Sequence, residues 1–148
     1  ARRNEYANAL KKAEEKFKEV EQLDAEKKGG FADRIEFYRL VGKMSEKGDI
    51  RSNSDAAKEI ASECSSFAEK FGESEFAPTT LFWAGYSYFF AKEYKKSLEK
   101  LEKLLKDYGD TSVAYQAKRF KEQVENKLKE EEKKEEEKKE EEKKEGGG

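Results

Sequence analysis

Three kinds of residue in this chain have the chemistry to act on, or hold, another molecule. The carboxylate pairs Glu14-Glu15 and Glu73 with Glu75 bring two acids close in sequence, as general acid and base catalysis requires. Cys64 is the single thiol, and its thiolate would be the nucleophilic form. Phe82, Tyr86 and Phe89 recur at i, i+4 and i+7, the spacing of one helical face. Such a row offers flat apolar anchors of the kind protein interfaces use. Histidine, the commonest general base and metal ligand, does not occur in the sequence.

The surroundings of these residues sort them. Cys64 has Ile60, Ala61, Phe67 and Ala68 as helical neighbours, the setting of a buried and inert thiol. The glutamate pairs lack a positioning partner or metal-ligand set and read as solvated surface. Gly29-Gly30 is followed by Phe-Ala-Asp, not the Lys-Ser/Thr of a phosphate loop. The expectation is therefore a protein without catalysis, metal or cofactor. The aromatic row remains. It lies beside the core face formed by Leu81, Ala84, Gly85 and Tyr88, and either faces outward or packs on Phe37, Leu40 or a later helix.

The elements that hold these residues are all helical. Apolar residues recur every three or four positions between breaks at Gly29-Gly30, Gly48-Asp49, Gly72 and Gly109-Asp110. The pattern predicts a first helix over 4–28, with Tyr6, Leu10, Ala13, Phe17 and Val20 on its core side, and a second over 32–47 with Ile35, Tyr38, Val41 and Gly42. A third begins at an N-cap of Ser54 or Asp55. A fourth starts at Ala77-Pro78, with proline in the first turn where its missing N–H costs least. A fifth covers 93–108 with Leu98, Leu101, Leu104 and Leu105. The sixth opens at Thr111 or Ser112 and carries Val113, Ala117, Phe120, Val124 and Leu128. Trp83 and Phe90 are expected between helices.

Internal echoes organise these helices. Phe71-Gly72-Glu73-Ser74 matches Tyr108-Gly109-Asp110-Thr111, and each is followed by an apolar residue and alanine (Phe76-Ala77, Val113-Ala114). Asn4-Glu5-Tyr6-x-x-Ala9-Leu10 echoes Lys92-Glu93-Tyr94-x-x-Ser97-Leu98. The stretch from Leu81, Ala84, Gly85 and Tyr88 through Ser97, Leu101 and Leu104 to Tyr108-Gly109-Asp110 resembles one tetratricopeptide repeat. Leu104 stands where the family favours alanine, and Gly109 where it favours proline. Val41-Gly42 stands in the preceding pair where Ala84-Gly85 stand in this one.

The resemblance implies an all-α fragment of an α-solenoid, with antiparallel helix pairs closed by the sixth helix as a cap. In that family the face bearing Phe82, Tyr86 and Phe89 lines a concave groove. The matching positions on the second helix include Arg39 and Lys43, so the resemblance implies a partner-binding groove of Arg39, Lys43, Phe82, Tyr86 and Phe89. Ser74-x-Phe76-Ala77-Pro78 resembles the variety found in bacterial envelope proteins, among them outer-membrane assembly lipoproteins and the periplasmic partner of the Tol–Pal system. It implies a non-enzymatic scaffold for protein partners in the periplasm or envelope, with a cytoplasmic setting as an alternative. A small-ligand-binding subunit of an uptake system and a structural spacer are the rival functions.

Charge and length bound the partners. The chain holds 32 basic and 34 acidic residues, too balanced for a field that attracts nucleic acid or an anionic membrane. No apolar run approaches the roughly 20 residues that span a bilayer. A chain that does not begin with Met suggests processing or excision, and membrane attachment is expected only through an upstream anchor. The folded domain is expected over 1–129. Residues 130–148 form a low-complexity Glu/Lys tail with period five, either a lone solvated helix or a disordered spacer, ending in flexible Gly146–Gly148.

Overall fold

The computed structural model describes residues 2–27 and 30–146, and these form helices joined by short turns, with no strand among them. The order is α1 (Arg2–Lys27), α2 (Ala32–Lys47), a 3-10 helix (Ile50–Ser52), α3 (Ser54–Lys70), α4 (Ala77–Phe90), α5 (Tyr94–Asp107) and α6 (Ser112–Gly146). The all-α expectation holds. Lys28, Gly29 and the last two glycines lie outside the described residues.

Local chemistry sets the boundaries. Gly48 takes φ 72° and ψ −143°, a region closed to residues with a Cβ, and stops α2. Asp49 then accepts from the Arg51 N–H and pairs with its guanidinium at 3.0 Å, closing the 3-10 turn. The cap of α3 is Asn53, one residue before the expected Ser54, and its side chain accepts from the Ala56 N–H at 3.1 Å. Pro78 sits in the first turn of α4. At the other end of α4, the Glu93 N–H bonds Tyr88 O and the Lys92 N–H bonds Phe89 O, the paired bonds of a Schellman stop. Lys92 therefore holds φ 62°, a position glycine fills more easily.

The turn after α3 and the turn after α5 are the same structure. Phe71 N–H bonds Phe67 O, Ser74 N–H bonds Phe71 O and Ala77 N–H bonds Ser74 O. Tyr108, Thr111 and Ala114 repeat those three bonds to Leu104, Tyr108 and Thr111. The two turns also touch, since the Tyr108 hydroxyl donates to Gly72 O.

Packing is closest in the middle. An added Cβ on Gly85 would lie 2.8 Å from Leu101 Cγ and Cδ2, so only glycine lets α4 and α5 cross at this distance. The Ser97 hydroxyl seals the crossing with a 2.6 Å bond to Gly85 O. One apolar cluster joins Ala68, Leu81, Leu101, Leu104, Ala114, Ala117 and Val124 across α3–α6. A second joins Leu40, Ile60, Cys64, Phe67 and Ala84 across α2–α4.

The N-terminal end is looser. Tyr6, Val20 and Tyr38, expected in the core, are 46%, 39% and 50% exposed. Gly42 does not repeat the role of Gly85, because its near neighbour is Leu10 of the preceding helix at 3.3 Å and not a residue of α3.

At the other terminus α6 runs without a break through the Glu/Lys stretch, so the tail is helical to Gly146. Leu128, Glu131 and Glu135 border Lys92–Lys96, and from Glu132 onward every described residue is exposed. Glutamates and lysines at i,i+3 and i,i+4 support such a helix, with Lys127–Glu130 paired at 3.6 Å.

Candidate partner-binding surface

The five groove residues expected from sequence fall into two groups. Arg39, on α2, is enclosed by carboxylates: Glu14 at 2.8 Å, Glu36 at 3.1 Å, and Glu21. The Glu14 hydrogen bond, opposed by burial and reinforced by Glu21, raises the Arg39 pKa above its ordinary value. Its guanidinium thus ties α1 to α2. One turn on, Lys43 reaches across to Glu63 of α3 at 3.0 Å. Both basic residues line a recess of about 330 Å³ between α2 and α3, where Leu40, Phe67 and Phe71 supply apolar wall and Lys70 a further charge.

The aromatic row stands on α4 and meets α6. Phe82, Tyr86 and Phe89 place their ring centres 6.1, 5.4 and 5.2 Å from Phe120. The alternative in which the row packs under a later helix therefore describes the geometry, although all three side chains keep part of their surface in solvent. Phe37 and Leu40 do not cover the row. Phe37 stacks on Phe76 at 4.1 Å and on Trp83 at 5.5 Å. Tyr86 also borders a small recess of about 220 Å³ with Met44, Ile50, Ile60, Trp83 and Ser87.

Arg39 and Lys43 thus open towards α3, whereas the aromatics gather on α6. Phe120 was legible as an apolar position of helix α6, but periodicity gave no sign that three aromatics of α4 would converge on it. A larger recess lies elsewhere. Between α1 and α2 a mainly apolar hollow of about 740 Å³ is lined by Tyr6, Leu10, Ala13, Phe17, Tyr38 and Val41. Phe17 and Tyr38 stack across it with ring centres 6.3 Å apart.

Three of the groups with catalytic chemistry have a settled environment. Glu14 holds Arg39, and Glu75 faces Arg34 at 3.5 Å. Cys64 is fully buried, and burial pushes its thiol up to about 12, so it stays protonated at neutral pH. Among the described residues no group of three or more Asp, Glu or Cys side chains converges on a metal-sized site. Compared with known protein families, with curated proteins and with solved structures, the chain matches none.

Proposed function

We propose that this chain is a non-enzymatic scaffold of tetratricopeptide type that holds a protein partner. The observation that carries the reading is the turn made twice, with identical backbone hydrogen bonds at Phe71–Ala77 and Tyr108–Ala114. Between the two copies lies the Gly85–Ser97–Leu101 crossing, which supports reading α4 and α5 as one antiparallel pair of a helical repeat. Structures built this way present side chains from successive helices as an extended surface, and chemistry on a bound partner is not needed for their use. Arg39 and Lys43, beside Phe67 and Phe71, are one half of the contact surface. The solvent-facing edges of Phe82, Tyr86 and Phe89 are the other. The envelope setting belongs to the same proposal and rests on the resemblance at Ser74–Pro78 alone.

The test is affinity capture from the native organism with the full chain and two variants. Lys43→Glu/Lys70→Glu alters the basic recess, and Phe82→Ala/Tyr86→Ala/Phe89→Ser strips the aromatic row. Circular dichroism establishes which variants fold. A partner held by the wild type and lost by either folded variant supports the scaffold and names its contact. A partner kept by two folded variants rejects this surface.

One observation favours a second reading, a structural spacer. Phe120 already occupies the aromatic row, and α6 continues as a solvated rod well past the body. In that case the triple aromatic variant unfolds, and only replacing the rod changes what the protein does.

A further inference from the structure

The face of α6 that is turned to α5 changes character along its length. Ala117 and Val124 are fully buried there, and Lys121 between them reaches Glu102 of α5 at 3.9 Å. Leu128 follows, half-buried. The next two positions of the same face, three and seven residues on, are Glu131 and Glu135. The apolar seam thus ends in two carboxylates where the Glu/Lys rod leaves the body.

The start of α5 lies opposite these carboxylates. Lys92, Tyr94, Lys95 and Lys96 face Leu128, Glu131 and Glu135 across a gap of about 420 Å³. Lys96 is held by Glu93 at 3.1 Å, and Glu93 also takes Lys58 at 3.2 Å. On the rod, Lys127 pairs with Glu130 at 3.6 Å. Among the described residues no ion pair engages Lys92, Lys95, Glu131 or Glu135, so two uncommitted cations face two uncommitted anions. Lysines of the rod at i+3 and i+4 compete for the same carboxylates, but exposed pairs of that kind are weak and interchangeable.

Two further features belong to this place. Lys92 holds φ 62°, a conformation that glycine adopts without cost. Such a cost persists where the side chain it carries has a use. Glu131 is half-buried, whereas every described residue from Glu132 onward is exposed, so the cover given by the body ends here.

We propose that Lys92 and Lys95 latch Glu131 and Glu135, and that this latch fixes the direction in which the rod leaves the body. The latch acts in a scaffold and in a spacer alike, because it sets where the far end of the rod stands. A tilt of about 20° at Glu131 carries Glu141 about 5 Å, at a rise of about 1.5 Å per residue. Being made of exposed ion pairs, the latch is opened by salt.

Double electron–electron resonance between spin labels on Ser62→Cys of α3 and Glu141→Cys of the rod, both exposed positions, reads that direction in the full chain. Cys64 stays unlabelled because it is fully buried. The expected distance distribution is narrow at low ionic strength and at least about twice as wide in about 1 M salt, where screening acts over about 3 Å. Lys92→Glu/Lys95→Glu gives the wide distribution at low salt, and adding Glu131→Lys/Glu135→Lys restores the narrow one. Unchanged far-ultraviolet circular dichroism shows that the rod has moved and not melted. Lys92→Gly relaxes the turn and raises the melting temperature, yet widens the distribution, which a purely structural role for Lys92 would not do. A wild-type distribution already wide at low salt overturns the proposal, as does a narrow one that neither salt nor the lysine exchange widens. A lysine variant that melts the rod in place of tilting it also overturns the latch. A fourfold charge exchange that fails to restore the narrow distribution overturns the pairing.

Discussion

Helices α4 and α5 cross over Gly85 with Ser97 and Leu101 wholly buried, while α1 and α2 meet around a hollow of about 740 Å³ with their aromatic side chains half in water. Both pairs obey the helical period and both contain a glycine at the crossing. The difference lies in what each helix has on its second side. Helix α5 is held between α4 and α6, and α4 between α3 and α5, so both faces of each are used. Among the described residues α1 packs chiefly on α2, and the ionic cluster around Arg39 ties the two helices. A helix in a stack of repeats draws its stability from neighbours on either side, and an end helix has half of them.

The largest contrast comes from removing matched leucines. Leu101→Ala empties a fully buried site and lowers the unfolding free energy by about 2–5 kcal/mol in denaturant titration. Leu10→Ala, beside an existing hollow, costs under about 1.5 kcal/mol, because little packing is lost. Equal losses would erase the distinction between the two regions. Phe120→Ala takes the shared partner from three aromatics and costs about 2–3 kcal/mol, with the loss visible in near-ultraviolet circular dichroism.

Smaller effects sharpen the same comparison at the turns. Asn53→Ala removes the α3 cap and costs about 1 kcal/mol in thermal or denaturant unfolding. Lys92→Gly goes the other way and adds up to about 1 kcal/mol, since Lys92 alone among the described non-glycine residues has positive φ. Acid gives the smallest change. The hydrogen bond from Lys96, opposed by burial and helped by Lys58, holds the Glu93 carboxyl below its ordinary range. Its contribution is present above the ordinary glutamate value and disappears as pH falls through the lower folded value. Melting temperatures of wild type and Glu93→Gln therefore differ at neutral pH and converge in acid.

Much of the architecture was written in the sequence. Glycine and proline marked the turns, and α2 begins and ends where the apolar period begins and ends. The close crossing at Gly85, Ser97 and Leu101 was legible because only small residues at that spacing admit it. The cap of α3 was displaced by one residue because Asn53, Ser54 and Asp55 all favour that role. What covers an apolar face was not legible. Periodicity assigns Tyr6, Val20 and Tyr38 to one side of their helices, but their burial depends on a neighbour that the described chain does not supply. The same limit applies to Phe82, Tyr86 and Phe89, whose partner Phe120 is far along the sequence. The helical tail followed from ion-pair spacing as one of two alternatives, since no packing decides it.

Hydrogen exchange read by mass spectrometry tests the division of the molecule most directly. The account predicts that amides of α4 and α5 exchange only through global unfolding, while those of α1 exchange much earlier with the rest of the chain still protected. Equal protection of α1 and α5 would contradict it, because the end helix would then be held as firmly as the helix with neighbours on both sides.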